Sequence, residues 1–186
     1  MKKGLLIAAA GVAGLLFFLF RRKDDNINDN SMNGKYFTID ELCKSETATK
    51  NGLDNTPNST QKKNLSLLIH NILDPVREKY GSALYVNSGF RTAAVNKKVG
   101  GASNSQHLTG QAADIRGKNG TKEEATAIMQ ACIEVGKYDQ LIIEKSSKSW
   151  WVHVSYSTTQ QRGQILYYNG SSYTALNKNN WKNCLA

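Results

Sequence analysis

SQHLTGQAADI, residues 105–115, holds one of the three histidines in a 186-residue chain and an aspartate seven positions after it. If His107 and Asp114 serve one metal ion, their donor atoms must lie within about 3–4 Å of each other, because each sits roughly 2 Å from the ion. Seven residues cover about 10 Å in a helix and more than about 20 Å in a strand. Neither regular form brings the pair together, so the chain has to fold back between them. Thr109-Gly110 supplies a turn, and Ala112-Ala113 are small enough for close packing beside a site. A third donor must come from elsewhere, and His153 in Trp151-Val152-His153-Val154-Ser155 is the candidate. On a strand, Trp151, His153 and Ser155 share one face while Val152 and Val154 take the other. Two histidines and a carboxylate with a fourth position open to water form a catalytic zinc arrangement. Taken alone, the His-Asp spacing also fits a hydrogen-bonded pair at a turn.

The length suits one domain plus extras, enough to bury a core without disulfide or metal staples, so a metal here is functional rather than structural. The formal charge of +9 comes without a zinc-finger, RNP or Arg-rich signature, and no nucleic-acid partner is expected. A basic surface facing an anionic envelope or phosphate polymer accounts for it. Cys43, Cys132 and Cys184 are far apart and lack CxxC spacing, which does not fit zinc ligation.

GLLIAAAGVAGLLFFLF, residues 4–20, is uninterrupted by charge and is followed at once by RRKDD. Its seventeen residues reach the lower limit for a membrane-spanning helix, about 17. No small-residue cleavage site separates Phe20 from Arg21, so residues 1–22 are expected to be an uncleaved, single-pass transmembrane anchor. Basic residues on both flanks nearly balance and leave the orientation open. Residues 23–35 are polar, Asn/Asp-rich and aperiodic, which reads as a flexible tether.

The folded domain is placed at residues 36–160. Thr38-Ile39-Asp40-Glu41 has the form of a capping box opening a short helix. Leu65, Leu68, Ile69, Ile72, Leu73, Val76 and Tyr80 keep the spacing of one buried helical stripe, which Pro75 kinks or ends. His70 sits beside that stripe in a structural or surface role. ALYVNSG, residues 83–89, reads as a strand. Thr121 caps a helix whose core face is Ala125, Ile128, Met129, Cys132 and Ile133, making Cys132 a core residue. QLIIE and WVHVSY are strand-like, and residues 161–186 suggest a last hairpin turning at Asn169-Gly170. Helices first and short antiparallel strands later predict an α+β domain, a small antiparallel sheet with packed helices around the metal site.

The pattern S-x-H-x-x-G-x-A-x-D, filled by Ser105, His107, Gly110, Ala112 and Asp114, resembles the zinc-binding motif of the D-alanyl-D-alanine carboxypeptidase family, metallopeptidase family fifteen. That family includes VanX-type dipeptidases and phage L-alanyl-D-glutamate endolysins. The likeness continues through NGLDNTP, ILDPVREKYG, VNSGFR and NKKVGGASNSQH upstream, and through YDQLIIE and WVHVSY downstream, over roughly residues 36–156. The resemblance implies zinc as cofactor, His107, Asp114 and His153 as its ligands, Arg91 of SGFR facing the substrate, and Ser105 as a substrate contact or a support for the ligands.

Better-known members of that family place an acid three positions before the last histidine, as general base. Trp150 stands there in this chain. Glu144, closing QLIIE, is the candidate replacement, and strand register decides it: opposite Ser149 or Trp151 it shares the face of His153, opposite Trp150 it points away. The expected activity is cleavage of peptidoglycan stem peptides, as a D,D-carboxypeptidase or an endopeptidase, in wall remodelling or in phage lysis or entry. The expected location is a membrane-anchored domain on the periplasmic or extracellular side, or a virion membrane. Without a base, the alternatives are a catalytically inactive peptidoglycan-binding module, with Trp151 and Tyr156 stacking on sugars, or a structural virion membrane protein.

Overall fold

The computed structural model of the chain describes residues 29–185. The predicted anchor and residues 23–28 of the tether lie outside them, and no helix among the described residues is long and apolar enough to cross a membrane. The chain is α+β. Helices α1 (Asp29–Met32), α2 (Ile39–Cys43), α3 (Glu46–Asn51), α4 (Ser59–Leu68) and α5 (Asp74–Tyr80) precede strand β1 (Tyr85–Ser88). Helix α6 (Ala93–Lys98) and a 3-10 turn (Gln106–Thr109) lead to β2 (Ala112–Arg116), followed by α7 (Lys122–Val135). Strands β3 (Gln140–Lys145), β4 (Trp150–Ser155), β5 (Gln164–Tyr168) and β6 (Tyr173–Leu176) close the sheet before a last 3-10 turn, Trp181–Leu185.

The helix ends follow their capping chemistry. The Thr38 side chain accepts from the Glu41 N–H, and Thr121 forms a full capping box with Glu124. Pro75 does not break the long helical stretch. It lacks an N–H for the Asn71 carbonyl, and a π-helical segment, Ile69–Leu73, takes up the mismatch between α4 and α5. The stripe reads as predicted, with Leu65, Leu68, Ile69, Ile72, Leu73 and Val76 at most 1% exposed, while His70 is on the surface. Packing begins upstream of Tyr36: Met32 joins the core, and Asn33 accepts from the Ile39 N–H.

The six strands run in the order β1-β2-β4-β3-β5-β6. The sheet is not wholly antiparallel, as the sequence had suggested, because β5 pairs parallel to β3. The cause is topological. One edge of β4 is taken by β2 and the other by β3, so the open edge is that of β3. Strand β4 ends where β3 begins, and a new strand starting there runs in the direction of β3. The hairpin β5–β6 turns through Asn169–Ser172, with Asn169 Oδ1 accepting from the N–H groups of Ser171 and Ser172.

One face of the sheet carries Ala113, Ile115, Leu141, Ile143, Val152, Val154 and Ile165, each 0–2% exposed, and packs on α7. Met129 and Cys132 of α7 lie in the same core, and burial pushes the Cys132 thiol up to about 12. The opposite face turns its polar residues to a cleft.

Candidate metal centre and catalytic cleft

The fold-back that the sequence demanded between His107 and Asp114 is built from a 3-10 turn, a left-handed glycine and a strand. Ser105 caps the turn by accepting from the His107 N–H at 3.4 Å. Gly110 then adopts φ +71°, and any Cβ there would come within 2.6 Å of the Gln61 carbonyl oxygen. Strand β2 begins immediately after, and its register sets Asp114 directly opposite His153 of β4.

Three donor atoms converge as a result. His107 Nε2 lies 3.2 Å from His153 Nδ1 and 3.3 Å from Asp114 Oδ1, and His153 Nδ1 lies 2.9 Å from the same oxygen. Both histidines are buried. His107 Nδ1 sits 2.6 Å from the carbonyl oxygen of Gly89, an atom that can only accept. That contact fixes a hydrogen on Nδ1 and turns Nε2 toward the centre, where a metal ion would take its lone pair. Gly89 can hold this position because it has no side chain: a Cβ would fall 2.2 Å from the Leu42 carbonyl oxygen. Three lone-pair atoms facing one another at this spacing need a shared proton or a cation between them. Two imidazole nitrogens and a carboxylate oxygen fit a divalent ion such as zinc. Burial opposes ionisation of Asp114, but charge and hydrogen bonds from His107 and His153 outweigh it and hold the carboxyl well below the usual range.

Glu144 stands opposite Trp151, so it shares the cleft face with His153. Burial, followed by repulsion from Asp114, pushes its carboxyl up to about 7, against the opposing influence of His153 and Arg91. Trp150 is on the other face, stacked on Tyr167 with centroids 6.3 Å apart and ring planes at 14°. An acid at that position would point away from the centre, so the register accounts for the tryptophan that the sequence left unexplained. Tyr156 is half-buried against the core, whereas Trp151 lines the cleft.

Arg91 lines the cleft too, and its backbone N–H donates to the His107 carbonyl at 3.2 Å. Its Nε is buried without a hydrogen-bond partner among the described residues. Burial pushes the guanidinium down, and the nearby charges of Asp114 and Glu144 support it. Ser105 lines the same cleft, whose volume is about 740 Å³. The cleft thus brings together all six residues singled out in the sequence.

Residues 35–155 match the family model for Peptidase M15. The chain belongs to the Peptidase M15 family. It is also 33% identical, over 110 residues, to the zinc D-Ala-D-Ala carboxypeptidase of Streptomyces albus G. That alignment covers 59% of this chain and 41% of the relative, so the chain spans well under half the relative's length. The family match stops at the end of β4. Strands β5 and β6 fall outside it, yet they supply Leu166, Tyr168 and Tyr173 to the cleft. Sequence reasoning gave these no role, and it gave none to Gln106 and Asp139, although both lie in quoted stretches, or to Arg162, which no motif marks. The one available hint was an acid, Asp139, set directly before an apolar strand.

Proposed function

We propose that this chain is a zinc-dependent peptidase that cuts peptidoglycan stem peptides, as a D,D-carboxypeptidase or an endopeptidase. The observation that carries the proposal is the convergence of His107, Asp114 and His153 in one cleft with a carboxylate and a guanidinium. A similar protein bears the name of a zinc carboxypeptidase for D-Ala-D-Ala, and this supports both the metal and the substrate class. In this reading His107 Nε2, His153 Nδ1 and an Asp114 oxygen hold the ion. Bound zinc supplies Lewis acidity, making water acidic near neutral pH and polarising an amide carbonyl.

The protein's own groups do the rest. Glu144, on the face of His153, takes the proton of the attacking water and returns it to the leaving amine. A carboxyl raised by burial suits both halves of that task, since it is a stronger base than an exposed glutamate. Arg91 meets a substrate carboxylate or the developing oxyanion with its planar fork. Ser105 holds the turn that carries His107. The apolar run at residues 4–20 tethers the domain to an envelope membrane, close to this substrate.

The test is digestion of purified peptidoglycan by the full chain, with and without a chelator, read by mass spectrometry. Released stem-peptide fragments that disappear with the chelator are expected, and their masses identify the bond. A metal-loaded protein that releases nothing excludes the peptidase and leaves a binding module.

A further inference from the structure

A second cation borders the cleft, in the connection between β4 and β5. Arg162 Nε donates to Asp139 at 3.0 and 3.2 Å, and its Nη2 donates to Asp139 Oδ2 at 2.6 Å and to Gln106 Oε1 at 3.2 Å. The Asp139 side chain is only 2% exposed. It also accepts the backbone N–H of Arg162 at 2.8 Å and the Gln106 amide at 2.9 Å. Burial opposes its ionisation, but these bonds, those of Arg162 foremost, hold its carboxyl below the usual range. The guanidinium is therefore oriented on one edge by a buried carboxylate and braced by the residue next to the metal-site His107.

Its other edge is uncommitted. Nη1 has no partner among the described residues, and the side chain, 38% exposed, lines the cleft. Closing the loop does not require this arrangement. Tyr156 N–H already donates to the Gln111 carbonyl at 2.9 Å, and Gln164 N–H to that of Asp139 at 3.0 Å. The position along the sheet matters as well. Ile142 is level with His153, and Glu144 lies two residues to one side. Asp139 lies three residues to the other, so Arg162 flanks the metal row on the side away from Glu144, at a distance on the order of 10 Å along the strand. Arg91 instead couples to Asp114 and Glu144.

We propose that Arg162, held by Asp139 and Gln106, is a second carboxylate-binding group of the cleft. The preferred substrate would then carry two carboxylates, one met by Arg91 and one by Arg162, on opposite sides of the scissile bond. This rests on the peptidase reading above and adds to it a specificity residue outside the family match. A fork with one edge locked on a buried acid is pre-organised for a planar anion, which lowers the ordering cost of binding.

The test uses three synthetic peptides of one sequence: one with both carboxylates free, one with the C-terminal group as carboxamide, and one with the internal group as carboxamide. Binding to the metal-loaded full chain is measured by calorimetry, and turnover is measured in parallel. Wild type should prefer the diacid over each monoamide by about tenfold or more, the usual worth of a charge-assisted hydrogen bond. Arg162→Gln and Arg162→Lys should lose one of the two preferences and keep the other, with KM raised and kcat nearly unchanged. Lysine keeps a charge opposite Asp139, so that variant stays folded, but one ammonium cannot serve Asp139 and the substrate together. Variants that discriminate as wild type does, or a wild type that binds all three peptides equally, overturn the assignment. Discrimination without hydrolysis would instead remove the peptidase reading and leave the anion site standing.

Discussion

Strands β3 and β4 each have two faces, built from residues one position apart and under opposite physical demands. Leu141, Ile143, Val152 and Val154 are fully buried against α7, where removal of apolar surface from water stabilises the fold. Ile142, Glu144, Trp151 and His153 face the cleft, which gathers two carboxylates, two histidines and two guanidinium groups. Such groups are costly to desolvate, and Arg91 Nε finds no partner among the described residues. The apolar face holds the strands in register, and the register then forces the cleft groups together. Changes on one face should therefore cost stability, and changes on the other should cost activity.

The largest effect is expected at Glu144. Glu144→Gln should keep metal and fold while turnover falls by roughly 10²–10⁴, the usual worth of a positioned base. Adding Trp150→Glu to that variant restores the acid where better-known relatives carry it, but on the core side of β4, so activity should stay low. Recovery of turnover in the double variant would mean that the two faces are not separate as described. On the opposite side of β3, Leu141→Ala should destabilise the fold by about 2–5 kcal/mol in denaturant titrations while leaving the bound metal in place. Metal loss at an unchanged unfolding midpoint would break the comparison from the other direction.

A smaller effect concerns pH. The Glu144 carboxyl is raised from 4.5 to about 7 in the fold, so the native state binds its proton more tightly than the unfolded chain does. That proton favours the fold below pH 4.5, and its contribution is lost as pH rises from 4.5 through about 7. In chelator-treated protein the melting temperature should fall more between pH 5 and pH 8 for wild type than for Glu144→Gln. Equal slopes would show that Glu144 is not buried against Asp114 in the free protein.

Much of this was legible in the sequence because local physics wrote it there. The spacing of His107 and Asp114 excludes a regular helix or strand between them, and alternation along residues 151–155 places His153 on a polar face. The helical stripe from Leu65 to Val76 and the cap at Thr121 follow from periodicity and capping preference alone. The direction of β5 was not legible, because it depends on which sheet edge remains free after β2 has paired with β4. The π-helical turn before Pro75 was missed, since a proline inside a periodic stretch predicts a kink equally well. Glu144 was only half legible: its type and position named it, but the pairing with Trp151 had to be seen. Asp139 and Arg162 are 23 residues apart and meet only through the crossover after β4, which no local pattern announces.

The most direct test of the metal centre is elemental analysis of the purified full chain beside three single variants, His107→Ala, Asp114→Ala and His153→Ala. One zinc per chain is expected in the wild type, and strongly reduced zinc in every variant, because losing one of three protein ligands leaves a poor chelate. Full zinc occupancy in any one of the three folded variants would contradict this ligand set and the centre built on it.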